Sequence, residues 1–182
     1  MIAKLSSWSL ISLPFAIVSG PFLPDLIISL LAIYALFLSR KPELRFYYKH
    51  PLVRIILFFW AYCIFRSLLS SHPILSLEAS LFYGRFIFFS LAGAFLITQN
   101  KQTLIFFGWS LVICLFLVTS DAYLQFFTGE NILGWKPDPA HKRLSGIFGH
   151  ELVLGSFLAR LIPLGFFVLA SIPRLKSWMM IL

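Results

Sequence analysis

The sequence predicts an all-α, polytopic transmembrane helix bundle of about six spans, with the start of a seventh, and three observations carry that reading. Apolar residues fill 59% of the 182 positions, charged ones only 12%, and mean hydropathy is +0.89. A soluble domain is about half apolar and a quarter charged, and a soluble core of this length has no room for the surplus. Second, the apolar residues fall in runs able to cross a hydrocarbon layer of about 30 Å, which takes roughly 20 helical residues. Third, most of the charges fall in short segments between those runs.

The runs are 5–19, 22–38, 52–69, 82–98, 103–119 and 152–172, and a seventh opens at Trp178 and stops at Leu182. Ser19-Gly20-Pro21 separates the first two, because glycine and proline supply a turn that a helix cannot continue. The first run, behind Lys4, has the outline of a signal peptide with Val18-Ser19-Gly20 as a cleavage site. A second apolar run follows almost at once, which favours an uncleaved helix. The expected organisation is five helices in 1–119, an outer amphipathic and basic loop in 120–150, and the start of a further helical core in 151–182. A span opened at Trp178 and cut off at Leu182 predicts roughly the front half of a longer protein.

Twenty-one phenylalanines and five tryptophans suit lipid-facing and interfacial positions. The net charge of +8 needs no nucleic-acid partner once the charges are placed. With the N-terminus in the cytoplasm, the inside segments hold Lys4, Arg40, Lys41, Arg45, Lys49, Arg54, Lys101, Arg174 and Lys176. The outside holds Lys136, Lys142 and Arg143 with most of the acids: Asp25, Glu78, Asp121, Glu130, Asp138 and Glu151. Nine basic residues inside against three outside follow the positive-inside rule and predict an inner-membrane protein with a cytoplasmic N-terminus. Cys63 and Cys114 lie within runs without metal-like spacing and read as small core residues.

Three arginines fall within or at the edges of runs, where a central arginine costs about 2.5–3.5 kcal/mol on insertion scales. Arg66 lies near the outer end of the third run and Arg85 near the outer start of the fourth. Each can reach the headgroups alone, and together, at one depth on helices joined by a short loop, they form a candidate anion site. Arg160 is deeper, about 13 Å below a helix start at Glu151. It calls for a buried partner such as Glu78 or Glu151, or a wet cavity. Gly155, Ser156 and Ala159 beside it permit a close helix approach, and Pro163 permits a kink.

The three outer basic residues fall in one loop. Its first part, from Ser120, is amphipathic, with Tyr123, Phe126 and Phe127 on neighbouring helical positions that suit the interface. Pro137 and Pro139 break it, Lys136, His141, Lys142 and Arg143 follow, and Gly146 and Gly149 permit a tight re-entry before a sixth span at Glu151. Arginine's planar fork binds phosphate oxygens; equally, such residues hold anionic headgroups and make a turn.

The segment Arg143-Leu-Ser-Gly146-Ile-Phe148-Gly-His150-Glu151, running on through Gly155-Ser156 to Arg160, resembles the O-antigen ligase and O-antigen polymerase family. Members open a central transmembrane helix with an arginine, a small residue and glycine, then phenylalanine. Asp121-Ala-Tyr-Leu-Gln125-Phe-Phe-Thr-Gly resembles the family's approach to that motif. The match covers about forty residues; the earlier spans agree only in hydropathy and number.

The resemblance implies a glycosyltransferase that takes a glycan from undecaprenyl diphosphate at the periplasmic face and passes it to a hydroxyl of lipid A core or of a growing glycan. Its partners would be that donor, that acceptor and membrane lipids. Arg143 is the first candidate for the leaving diphosphate, with Arg85, Arg66 and Arg160 behind it, and Glu151 or His150 would orient the acceptor. No Asp-x-Asp pair occurs, which suits a site without metal or other cofactor. A polymerase of the same family, a transporter subunit or a partner-dependent fragment are the rival readings.

Overall fold

The computed structural model describes residues 2–39, 46–137 and 143–171. The seventh span expected from Trp178, the basic residues His141 and Lys142, and Arg40, Lys41, Arg45, Asp138, Arg174 and Lys176 lie outside the described residues. Among the described residues the regular structure is all helical: α1 Ile2–Val18, α2 Phe22–Leu38, α3 Pro51–Leu68, α4 Pro73–Gln99, α5 Lys101–Thr128, a 3-10 turn Gly146–Phe148, and α6 Leu154–Ala170. Three of these, α3, α4 and α5, are long and apolar enough to cross a membrane; α1, α2 and α6 are shorter apolar helices. The protein is a helical membrane protein.

Proline and glycine set most boundaries. Gly20 takes a φ of +117° between α1 and α2, a value that glycine adopts without steric penalty. Pro51 and Pro73 open α3 and α4, where a missing N–H is harmless. Two helices are much longer than the apolar runs foretell. Helix α4 begins at Pro73 rather than 82, because Ser76, Glu78 and Ser80 lower hydropathy without breaking the helix. Helix α5 runs to Thr128 rather than 119, since no glycine or proline intervenes before Gly129, which ends it with a φ of +84°. The aromatic segment after Ser120 is therefore the last two turns of α5, and Gly129 rather than Pro137 breaks it.

The chain divides into two compact units, Met1–Leu10 with Pro21–Asn100, and Ile11–Gly20 with Lys101–Leu182. In the first, α4 packs against both α2 and α3. Leu31, Ala32 and Ala35 of α2 and Leu91, Ala92 and Leu96 of α4 are buried there, and small residues let helix backbones approach. Helix α3 is held differently. Of its residues only Ser67 is buried, and Leu52, Ile55, Phe58, Phe59 and Phe65 are all exposed, an apolar surface that suits lipid. Its fixed contacts with α4 are Trp60, whose Nε1–H donates to the Ser80 carbonyl at 2.7 Å, and Ser67, whose Oγ lies 3.0 Å from that of Ser80.

Gly84 makes room for the Trp60 ring, and a Cβ there would overlap it. Gly84→Ala is expected to destabilise the α3–α4 pair by about 1–3 kcal/mol through overpacking. A fall in the thermal midpoint of the detergent-solubilised protein checks this, and Trp60→Phe in the same background should restore part of the loss.

In the second unit α5 packs on α6 through Cys114, Val118 and Ala122 against Leu154 and Phe157. Pro14 interrupts the hydrogen-bond ladder of α1. Side chains of α5 donate to the carbonyls beside it, Ser110 Oγ to Ile11 O at 2.6 Å and Cys114 Sγ to Pro14 O at 3.3 Å. Cys114 is thus a core residue, 1% exposed, whereas Cys63 is half-buried.

Candidate functional site

The second unit carries a buried polar clasp. Asp121 and Gln125 stand one turn apart on α5, on the face opposite Tyr123, Phe126 and Phe127; the carboxyl residue is 3% exposed and Gln125 is fully buried. Gln125 Oε1 accepts from the N–H groups of Ser145 at 3.0 Å and Gly146 at 2.8 Å. Its Nε2 donates to Trp135 O at 3.1 Å and Ser145 Oγ at 3.3 Å. All four hydrogen-bonding sites of the amide are in use.

Asn131 completes the clasp from the loop after α5. Its Nδ2 donates to Gly146 O at 2.6 Å, and its Oδ1 accepts from Leu133 N at 3.0 Å and Trp135 N at 2.7 Å. Asp121 Oδ1 accepts from Ile132 N at 2.9 Å. The segments 131–135 and 145–146 are thereby fastened to the end of α5. Burial without partners would be expensive for each of these groups, and here each has one.

Glycine permits the close fit. Gly146 has a φ of +55°, and a Cβ there would lie 3.4 Å from Asp121 Oδ2 and 3.6 Å from Ala122 Cβ. Gly149 has a φ of +65° and lies against Trp135, whose ring meets His150 edge-on at 4.4 Å between centroids. The tight turn expected at these two glycines is present.

Arg143 is exposed, two residues before the clasped Ser145 and Gly146. His150 and Glu151 are exposed at the other end of the same short segment. The clasp therefore holds the stretch carrying Arg143, His150 and Glu151 against α5. Arg160 belongs to a different element. Helix α6 starts at Leu154, not Glu151, so Arg160 lies about 9 Å into it rather than 13 Å. It is exposed, as are Gly155, Ser156 and Ala159. The close approach expected at those small residues occurs instead at Gly165, where an added Cβ would lie 3.6 Å from Leu115 Cδ1 and 3.7 Å from Leu111 Cδ2.

Arg66 and Arg85 lie in the first unit and do not share a depth. Ser67 meets Ser80 and Trp60 meets Gly84, an antiparallel register that puts Arg85 five residues, about 7.5 Å, beyond the level of Ser80 and Arg66. Arg66 is exposed, beside Ser67, Ser70, Ser71 and Ser76. Arg85 is paired: its Nη1 donates to Asp25 Oδ2 at 2.8 Å and its Nη2 lies 2.5 Å from Asp25 Oδ1. It also lies 5.1 Å from the Phe86 ring centroid, and its Nε is buried without a partner. This is the one ion pair among the described residues, so Arg66, Glu78, Arg143, Glu151 and Arg160 make none there.

Asp25→Asn leaves Arg85 uncompensated. The side chains are 29% and 47% exposed, so the loss should fall between those of surface and buried pairs, about 1–2 kcal/mol. A double-mutant cycle with Arg85→Gln, read as thermal midpoints in detergent, checks it: the double variant should be more stable than the sum of the single losses predicts.

The fold and the clasp define a helical-bundle membrane protein with a loop fastened to the end of an apolar helix. Compared with protein-family models, curated proteins and solved structures, the chain matches none.

Proposed function

We propose that the chain is a multi-pass bacterial inner-membrane protein of about six spans with a cytoplasmic N-terminus, acting in an O-antigen ligase- or polymerase-like glycosyltransferase. The donor is a glycan on undecaprenyl diphosphate at the periplasmic face, and the acceptor is a hydroxyl of lipid A core or of a glycan. One observation carries the reading. The two stretches that resemble that family, Asp121–Gly129 and Arg143–Glu151, are tied together by Gln125 and by Asn131 between them, with Arg143 left exposed beside the tie.

In the proposed reaction the acceptor oxygen attacks the anomeric carbon as the bond from that carbon to the diphosphate oxygen breaks, inverting the centre. The hydroxyl proton passes to a base, and the departing diphosphate keeps the bonding electron pair. Negative charge grows on the leaving group, where a fixed guanidinium stabilises it more than in the ground state. Arg143 has that role. Arg66 and Arg160, both exposed, rank behind it as diphosphate contacts, and Arg85 is the least available because Asp25 neutralises it. His150 or Glu151 orients the acceptor.

The test is transfer of glycan from an undecaprenyl-diphosphate donor in membranes carrying the native gene product. Membranes lacking that product should transfer nothing to lipid A core or glycan; undiminished transfer in them would sink the proposal.

A further inference from the structure

A groove of about 620 Å³ runs along the first unit between α3 and α4, lined by Ile56, Phe59, Phe86, Ile87, Leu91 and Ala94. From Tyr83 to Ala94 it spans eleven residues of α4, about 16 Å, and its walls are almost wholly apolar. One end differs. Tyr47 and His50 line it there, in the turn that leads into α3, and Lys49 and Arg54 flank His50.

That end is held in place. Tyr47 Oη is 2.8 Å from Thr98 Oγ1, and Tyr47 and Tyr48 pack on Leu38 and Phe95. Arg54 turns its guanidinium onto the Lys49 carbonyl, with Nε at 3.1 Å and Nη2 at 2.6 Å. No aspartate or glutamate occurs between Phe46 and Leu77 or between Ala79 and Ser120. One end of the apolar trough is thus closed by His50, with the exposed Lys49 next to it in sequence and the held guanidinium of Arg54 one turn further on, and no carboxylate lies nearby on the helices that form it.

We propose that this groove binds an anionic diacyl phospholipid, with an acyl chain along the trough and the phosphate at Lys49, His50 and Arg54. Charge complementarity selects the occupant. A zwitterionic lipid fills the trough equally well but gains little at its cationic end, while an anionic headgroup gains at both.

The test is native mass spectrometry of the detergent-solubilised chain with equal amounts of phosphatidylglycerol and phosphatidylcholine. Phosphatidylglycerol should be retained about 25-fold over phosphatidylcholine, about fivefold for each of the two cations. Lys49→Gln with Arg54→Gln should erase that preference, at about fivefold per cation removed, and Ala94→Trp should reduce retention of both lipids by filling the trough. Equal retention of the two lipids by the unaltered chain, or a preference that survives the double substitution, overturns the proposal. So does efficient disulfide cross-linking between two Ser90→Cys chains, which would make the groove an interface between copies. If Ala94→Trp fails to fold, the double substitution on the exposed turn decides alone.

Discussion

Replacing Arg143 by alanine should lower glycan transfer by about 10²–10³-fold while leaving the protein folded and in the membrane. The magnitude is that of removing one preorganised group from a developing negative charge. The folding expectation follows from its surroundings, since the side chain is exposed and makes no ion pair among the described residues. The loss should appear in kcat more than in KM, because charge grows on the diphosphate only as the glycosidic bond breaks. Arg143→Lys should recover part of the rate as a point charge without the planar fork. Full activity in Arg143→Ala would remove this residue from the mechanism.

Gln125→Leu should release the loop that carries Arg143. Leucine fills the volume but strands the buried N–H groups of Ser145 and Gly146 and the second acceptor interaction of Trp135 O. Each stranded donor costs about 1–3 kcal/mol, enough together to open the clasp locally. Hydrogen exchange at those two amides should accelerate about 100-fold or more, while amides in the middle of α5 keep their protection. Gln125→Glu keeps the acceptor oxygen and should preserve the two amides better than leucine does. If exchange at Ser145 and Gly146 is unchanged in Gln125→Leu, these hydrogen bonds do not hold the loop. On the proposed reading transfer should fall with loop release although Gln125 is fully buried, which is the behaviour expected of a positioning residue.

The helical class and most boundaries were legible because apolar runs and proline or glycine positions are local signals. Helices α2 and α3 begin and end within a residue of their runs for that reason. The extensions of α4 and α5 were not, since hydropathy falls at Ser76, Glu78, Ser120 and Asp121 while helical hydrogen bonding continues. Gly146 and Gly149 were readable as a turn. Gln125 was missed as a tether, yet a signal was present: Asp121 and Gln125, four apart on one face of an aromatic helix, with Asn131 shortly after. The pairing of Arg85 with Asp25 joins residues sixty apart in sequence, and no local pattern announces such a partner. The depth of Arg66 relative to Arg85 depended on a register set by Trp60 and Gly84, which is a matter of ring shape rather than hydropathy.

Helix α3 touches its neighbour through a narrow stripe containing Trp60 and Ser67, and the remainder of its surface faces outward. At those outward positions lipid discriminates between leucine, isoleucine and phenylalanine only weakly, so selection there acts on greasiness and hardly on identity. Drift along α3 should therefore scramble its letters while preserving its average, with Trp60, Ser67 and the opposing Gly84 as fixed points. In such a helix, ancestry is written in very few places, and the buried amide of Gln125 with its two glycine-rich neighbours is a richer record than the whole of α3.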